Sequence, residues 1–424
     1  MECLMTDHAE LIQRRQRLLG KSYRLFYQQP LYPVKGEGVW LYEADGKRYL
    51  DAYNNVVSVG HCHPKVVDAI CKQASQLNTH TRYLHDTILN YAERLLARFP
   101  THLNNLTMTC SGSEANDLAL RIAREVTGNS IALVTRWAYH GTTSSIAELS
   151  PSLGISVGQH VRTFAAPDTF RCQGKWLDSL KLTLDNLTLK GLKPAALIMD
   201  GVFSSDGVFV PPADEIQQAV DWVRQAGGIY IADEVQSGFA RTGNHFWGFE
   251  GYRLQPDMVT IGKPMGNGHP VAGLVARSDL LDQFGEKQRY FNTFGGNPVS
   301  CAAANAVLDV IEDEQLQMNA QHQGQRLQHN LEKLAARYLS IGDIRGSGLF
   351  YGVELVKDRE SLAPATELAS MIVNAMRQAG VLISATGPDA NVLKIRPPLV
   401  FTEEHVDLLT DTLDKVLLRF EGCY

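Results

Sequence analysis

Four runs of consecutive apolar residues constrain the fold of this chain more than any other feature. They are Ile131-Ala132-Leu133-Val134, Ala195-Ala196-Leu197-Ile198-Met199, Gly228-Ile229-Tyr230-Ile231-Ala232 and Met258-Val259-Thr260-Ile261. A strand with one wet face alternates apolar and polar residues, and these do not, so each reads as a strand buried on both faces. Helical stretches separate them, including amphipathic patterns over Pro64 to Leu77 and Asp86 to Phe99. The expectation is an α/β fold: a mostly parallel sheet covered by helices on both sides.

At 424 residues the chain exceeds one ordinary core and should divide. Residues 1–60 would contribute to a smaller domain, 61–315 would form the large one, and 316–424 would complete the smaller. Asp45-Gly46 between apolar stretches predicts a hairpin near the start. The strand patterns Ile341 to Arg345 and Leu349 to Leu355, followed by helices, suit a small α+β domain drawn from both chain ends.

A net charge of −6 gives no field that would attract nucleic acid or an anionic membrane. An anionic ligand must therefore be held by local donors. Seven scattered cysteines without paired spacing read as free thiols, and the polar first residues lack the apolar core of a signal peptide. Both point to the cytoplasm.

Ligands of parallel α/β sheets sit beyond the carboxyl ends of the strands, where three segments stand out. Ser111-Gly112-Ser113 precedes a helical run, and small residues there let backbone N–H groups approach an anion. Taken alone, it reads better as an ordinary Ser-capped helix start. Asp233 and Glu234 follow a buried strand, where an Asp can pair with a protonated ring nitrogen or cap the next helix. Lys263 leaves another buried strand for the Gly-rich stretch Pro264 to Gly268. A lysine there becomes a carbonyl nucleophile if burial lowers its pKa, or stays solvated. Together the three supply what pyridoxal phosphate needs: an amine for its aldehyde, an anion for its ring nitrogen and a cradle for its phosphate.

The stretches Ser111 to Asp117, Ala232 to Gln236, Gly262-Lys263-Pro264 and Asn292 to Pro298 resemble the class-III aminotransferases. The resemblance implies the fold type I architecture of pyridoxal 5'-phosphate (PLP) enzymes and a homodimer with both subunits lining each site. It makes Lys263 the catalytic Schiff-base lysine and Asp233 the partner of the ring nitrogen. Ser111, Gly112 and Ser113 would hold the phosphate, Tyr139 and Val235 would flank the ring, and Gln236 would reach its hydroxyl. Thr293 would contact the phosphate in the neighbouring subunit. His140 is either a ring neighbour or a structural hydrogen-bonding residue.

Two positions depart from the family pattern. Where the family commonly has a Glu that gates a carboxylate-binding arginine, this chain has Asp200. Where many members have that Arg, it has Lys394, with Arg396 on the same face of a strand. Either could bind a substrate anion, or both could form a solvated basic edge. Tyr53 and Arg82 are further substrate-binding candidates, although a structural salt bridge also accounts for Arg82. His61-Cys62-His63 does not read as a metal site, because neighbours in an extended chain point apart.

Three functions follow. Amino transfer from an amine or amino acid to a keto acid or aldehyde, by a ping-pong route through Lys263, is the first. The second is a phospho-lyase acting on an amino-alcohol phosphate such as phosphoethanolamine. Residues Asn54 to Val56, Val59 to Pro64, Lys263 to Pro270 and Asn391 to Ile395 resemble that branch of the family, and Asp200 to Gly207 departs from it. A degenerate, non-enzymatic cofactor binder is the third.

Overall fold

The computed structural model describes residues 8–172 and 174–420. The hairpin signal corresponds to three antiparallel strands, β1 (Pro33–Glu37), β2 (Trp40–Glu43) and β3 (Arg48–Asp51). A central sheet holds β4 (Asn105–Thr109), β5 (Ile131–Thr135), β6 (Val161–Phe164), β7 (Pro194–Asp200), β8 (Ile229–Asp233), β9 (Met258–Ile261) and β10 (Ala272–Ala276). Later come β11 (Ile341–Ser347), β12 (Phe350–Leu355), β13 (Val381–Leu382), β14 (Ser384–Thr386) and β15 (Val392–Ile395).

The central sheet has the order β4-β10-β9-β8-β7-β5-β6. Its pairings are parallel from β6 to β9, while β10 runs against both neighbours. Because β10 opposes both β9 and β4, those two point the same way. The carboxyl ends Thr109, Asp200, Asp233 and Ile261 therefore share one edge. Alternate residues of a strand enter different cores: Ile131 and Leu133 pack on one face, Ala132 and Val134 on the other. That explains the apolar runs, since both faces of these strands are dry.

The antiparallel sheet β11-β12-β15-β14 stands beside this edge. Chain ends meet where β13 pairs parallel with β3, Val381 opposite Leu50. Cys3 and Cys423 lie outside the described residues; Cys62, Cys71, Cys110, Cys172 and Cys301 are free thiols. Among the described residues no helix is long and apolar enough to cross a membrane.

Candidate active site

The shared strand edge opens on a cavity lined by Gly112, Ser113, Asp233, Val235, Gln236 and Lys263, which come from all three strand-end segments, together with Tyr139, His140, Gly141 and Asp200. Lys263 starts a short 3-10 turn, Lys263–Gly266, directly after β9. Burial pushes its amine below the ordinary lysine value, and the Asp233 carboxylate opposes that shift. A larger neutral fraction makes the amine a better carbonyl nucleophile.

Asp233 ends β8 and is buried. Its Oδ2 accepts from Asn116 Nδ2 at 2.9 Å and stands 2.8 Å from His140 Nδ1, and its Oδ1 accepts from the Val235 amide at 3.1 Å. His140 thus supports the carboxylate, and its Nε2 is buried without a partner. Asn116 is fixed in turn by the Thr260 hydroxyl, which donates to its Oδ1 at 2.7 Å. The helix Gly112–Thr127 aims its N-terminus at the cavity.

Two glycines hold this corner together. A Cβ on Gly112 would lie 2.9 Å from Val235 Cγ2, and one on Gly141 only 2.4 Å from Ser113 Oγ. Gly141 also has φ +140°, which a larger residue resists. These close approaches leave no room for a side chain at either position. A reactive amine, a pre-positioned carboxylate and an anion-binding helix start around one cavity fit pyridoxal phosphate.

Several expected residues stand elsewhere. Ser111 is exposed and does not line the cavity; it caps the helix, accepting from the Glu114 amide while Glu114 reciprocates. Its hydrogen-bonding capacity is spent on the cap. Arg82 is exposed, with its guanidinium 3.9 Å from the Phe291 ring centre, so the expected salt bridge is replaced by a cation–π contact. Thr293 is exposed and outside this chain's cavity. His61 pairs with Asp51 at 2.7 Å and His63 with Glu314 at 3.0 Å.

At the cavity rim, Arg396 donates to Gln236 Oε1 at 2.5 Å and lies 4.9 Å from the Tyr53 ring centre. Burial holds its pKa below the usual arginine value. Lys394 is buried and donates to the Ser204 carbonyl at 2.7 Å. Burial first, and Arg396 next, push its amine well below the lysine range, with Asp200 opposing. Asp200 accepts from the Val202 amide at 3.1 Å and the Ser204 amide at 2.8 Å. Ser204 and Asn116 are the functional-looking residues that reasoning on the sequence did not assign. Asn116 lay inside a recognised motif, and Ser204 inside the stretch Asp200 to Gly207, which was read only as a departure from the family pattern.

Behind the site, Asp206 accepts from the Thr135 hydroxyl at 2.8 Å and the Trp137 amide at 3.3 Å, and burial raises its pKa to about 7. A carboxyl raised on folding contributes stability that is full below its unfolded pKa, about 4, and lost as pH rises through 7. Asp206→Asn should therefore flatten the fall in stability between pH 4 and 8, by on the order of 3 kcal/mol. Denaturant midpoints at both pH values check this. Equal falls in wild type and variant would contradict it.

Residues 26–417 match the family model described as aminotransferase class-III. A Drosophila melanogaster protein named alanine--glyoxylate aminotransferase 2-like is 41% identical over 98% of this chain and 86% of its own length. Ethanolamine-phosphate phospho-lyase homolog 1 of Caenorhabditis elegans is 38% identical over 96% of this chain and 93% of its own. Among solved structures, a phospholyase from Arthrobacter in complex with phosphoethanolamine superposes with a TM-score of 0.93 at 44% identity, covering 96% of this chain and 99% of that one. A Bacillus anthracis aminotransferase gives 0.89 at 27% identity, over 99% of this chain and 100% of that one. With a family match over most of its length and a cavity equipped for pyridoxal 5'-phosphate, the chain belongs to the class-III aminotransferases.

Proposed function

We propose that this protein is a phospho-lyase that removes phosphate from a short amino-alcohol phosphate such as phosphoethanolamine. The observation that carries the reading is the company Arg396 keeps. Its polar contacts are Gln236 and Tyr53, both neutral, and among the described residues no carboxylate lies within ion-pair distance of Arg396 or Lys394. Asp200, where the family commonly has the gating Glu, has both oxygens engaged by backbone amides. A guanidinium at the rim with no carboxylate in ion-pair distance among the described residues is free to take two oxygens of a substrate phosphate. The likeness to the phosphoethanolamine-bound Arthrobacter structure supports the same choice.

Bound pyridoxal phosphate supplies an aldehyde for the substrate amine and a ring that accepts electrons from the substrate Cα. The protein does the rest. Lys263 takes the Cα proton, and among the described residues it is the one lysine lining the cavity. Asp233, held by His140 and Asn116, would pair with the ring nitrogen and support a proton there. Arg396 would favour departure of phosphate when the Cβ–O bond breaks with its electron pair. Overall, phosphoethanolamine and water give acetaldehyde, ammonia and phosphate. Thr293 and the exposed aromatic rings of Tyr290, Phe291 and Phe294 would serve a homodimer in which Thr293 reaches the neighbouring subunit's cofactor.

Amino transfer is the second reading, favoured by the 41% identity to a relative named as an aminotransferase. It uses the same proton removal and differs in where the proton returns. Incubating the cofactor-loaded protein with phosphoethanolamine separates the two. Stoichiometric phosphate and acetaldehyde are expected; accumulation of the cofactor's amine form without phosphate would assign amino transfer instead.

A further inference from the structure

Ser204 lies in the tight turn after β7 and is 1% exposed. The turn is pinned by unusual backbone: Phe203 and Val208 have φ of +47° and +61°, and the Gly207 and Val208 amides both donate to the Phe203 carbonyl. Four groups converge on this one serine. Its amide donates to Asp200 Oδ2, its carbonyl accepts from Lys394 Nζ at 2.7 Å and from Thr386 Oγ1 at 3.0 Å, and its hydroxyl accepts from Gln236 Nε2. The other end of the same Gln236 amide accepts from Arg396.

A side-chain amide has one donor end and one acceptor end. Gln236 can present its oxygen to Arg396 only while its nitrogen finds an acceptor on the opposite side, and Ser204 Oγ is that acceptor. From this geometry we infer that Ser204 is a positioning residue: it orients Gln236, which orients Arg396, and so sets the protein's affinity for the phosphate group of its substrate. The inference rests on the reading of Arg396 as the anion-binding residue. It adds a route by which an anion at the rim is felt in the cofactor cavity, because Gln236 lines that cavity and touches Arg396. Drawing the guanidinium toward an anion loosens its hold on the amide, which is then free to strengthen its contacts inward.

The test uses the cofactor-saturated protein and inorganic phosphate, with binding followed by calorimetry and by the visible absorbance of the bound cofactor. Losing one hydrogen bond to a group that orients a charge corresponds to a Kd for phosphate raised about tenfold in Ser204→Ala. The absorbance response to phosphate should shrink, the affinity for the cofactor should stay within about twofold, and Ser204→Thr, which keeps the hydroxyl, should restore both. Should the alanine variant not fold, Ser204→Cys is read the same way, since a thiol is a poor acceptor of similar size. A phosphate Kd within twofold of wild type overturns the inference, as does equal weakening of cofactor and phosphate, the mark of a merely structural role. Arg396→Met separates the two levels. If that variant binds phosphate normally, the anion-site reading fails; if it binds weakly while Ser204→Ala does not, only the role of Ser204 fails.

Discussion

Lys263→Ala should lower turnover by at least about 10⁴-fold and leave a protein from which the cofactor is lost on desalting. Two separate contributions vanish together: the covalent hold on the aldehyde, and the base that moves the Cα proton. No neighbour can substitute. Lys394 is buried and committed to the Ser204 carbonyl, and Arg396 is too basic to shuttle protons. The side chain leaves a short turn held by the Met265 amide donating to the Gly262 carbonyl at 2.7 Å, so its removal should not disturb the backbone. Thermal stability without cofactor should be nearly unchanged. The measurement is turnover alongside retention of visible absorbance through gel filtration. Activity within tenfold of wild type would refute the assignment.

Asp233→Asn should cost about 10³-fold in rate while leaving the fold intact. Asparagine has nearly the same shape, so what disappears is charge. Removing one partner of a buried charged pair costs roughly 3–5 kcal/mol, and about 4 kcal/mol in a barrier is a factor near 10³. The variant would still sit against Asn116 and His140, but without a negative charge it could not keep a proton on the ring nitrogen. The expected sign is a rate defect larger than any defect in cofactor affinity. Single-turnover kinetics with saturating amine gives both quantities. A rate loss below tenfold would mean that the ring nitrogen is served by another group.

Much of this was legible in the sequence, for identifiable reasons. Strands buried on both faces write themselves as unbroken apolar runs, and β5, β7, β8 and β9 were all readable in that way. The three strand-end motifs were found because each uses residue types with few other uses at such positions. Asn116 was harder. It sits in the helix after the cradle, and its value comes from Thr260 and Asp233, residues far away in sequence. Ser204 was invisible because its role belongs to a turn whose neighbours arrive from β15 and from the loop after β8. Ser111 was over-read: a cap and a cradle use the same residues, and only geometry shows which hydrogen bonds are already taken. The reversal of β10 was not anticipated, since a short buried antiparallel strand has the same composition as a parallel one.

The pairing of β3 with β13 joins residues on opposite sides of more than three hundred intervening positions, and the Arg396 amide adds a bond to the Ala52 carbonyl at 2.9 Å. Closing so long a loop is entropically slow, so this seam should form late in folding. During synthesis the chain can assemble its central sheet, with Asp233 and Lys263 in place, while the rim that carries Tyr53 still waits for Val381 to Arg396 to be made. A nascent protein would thus own its chemical machinery before it owned its selectivity.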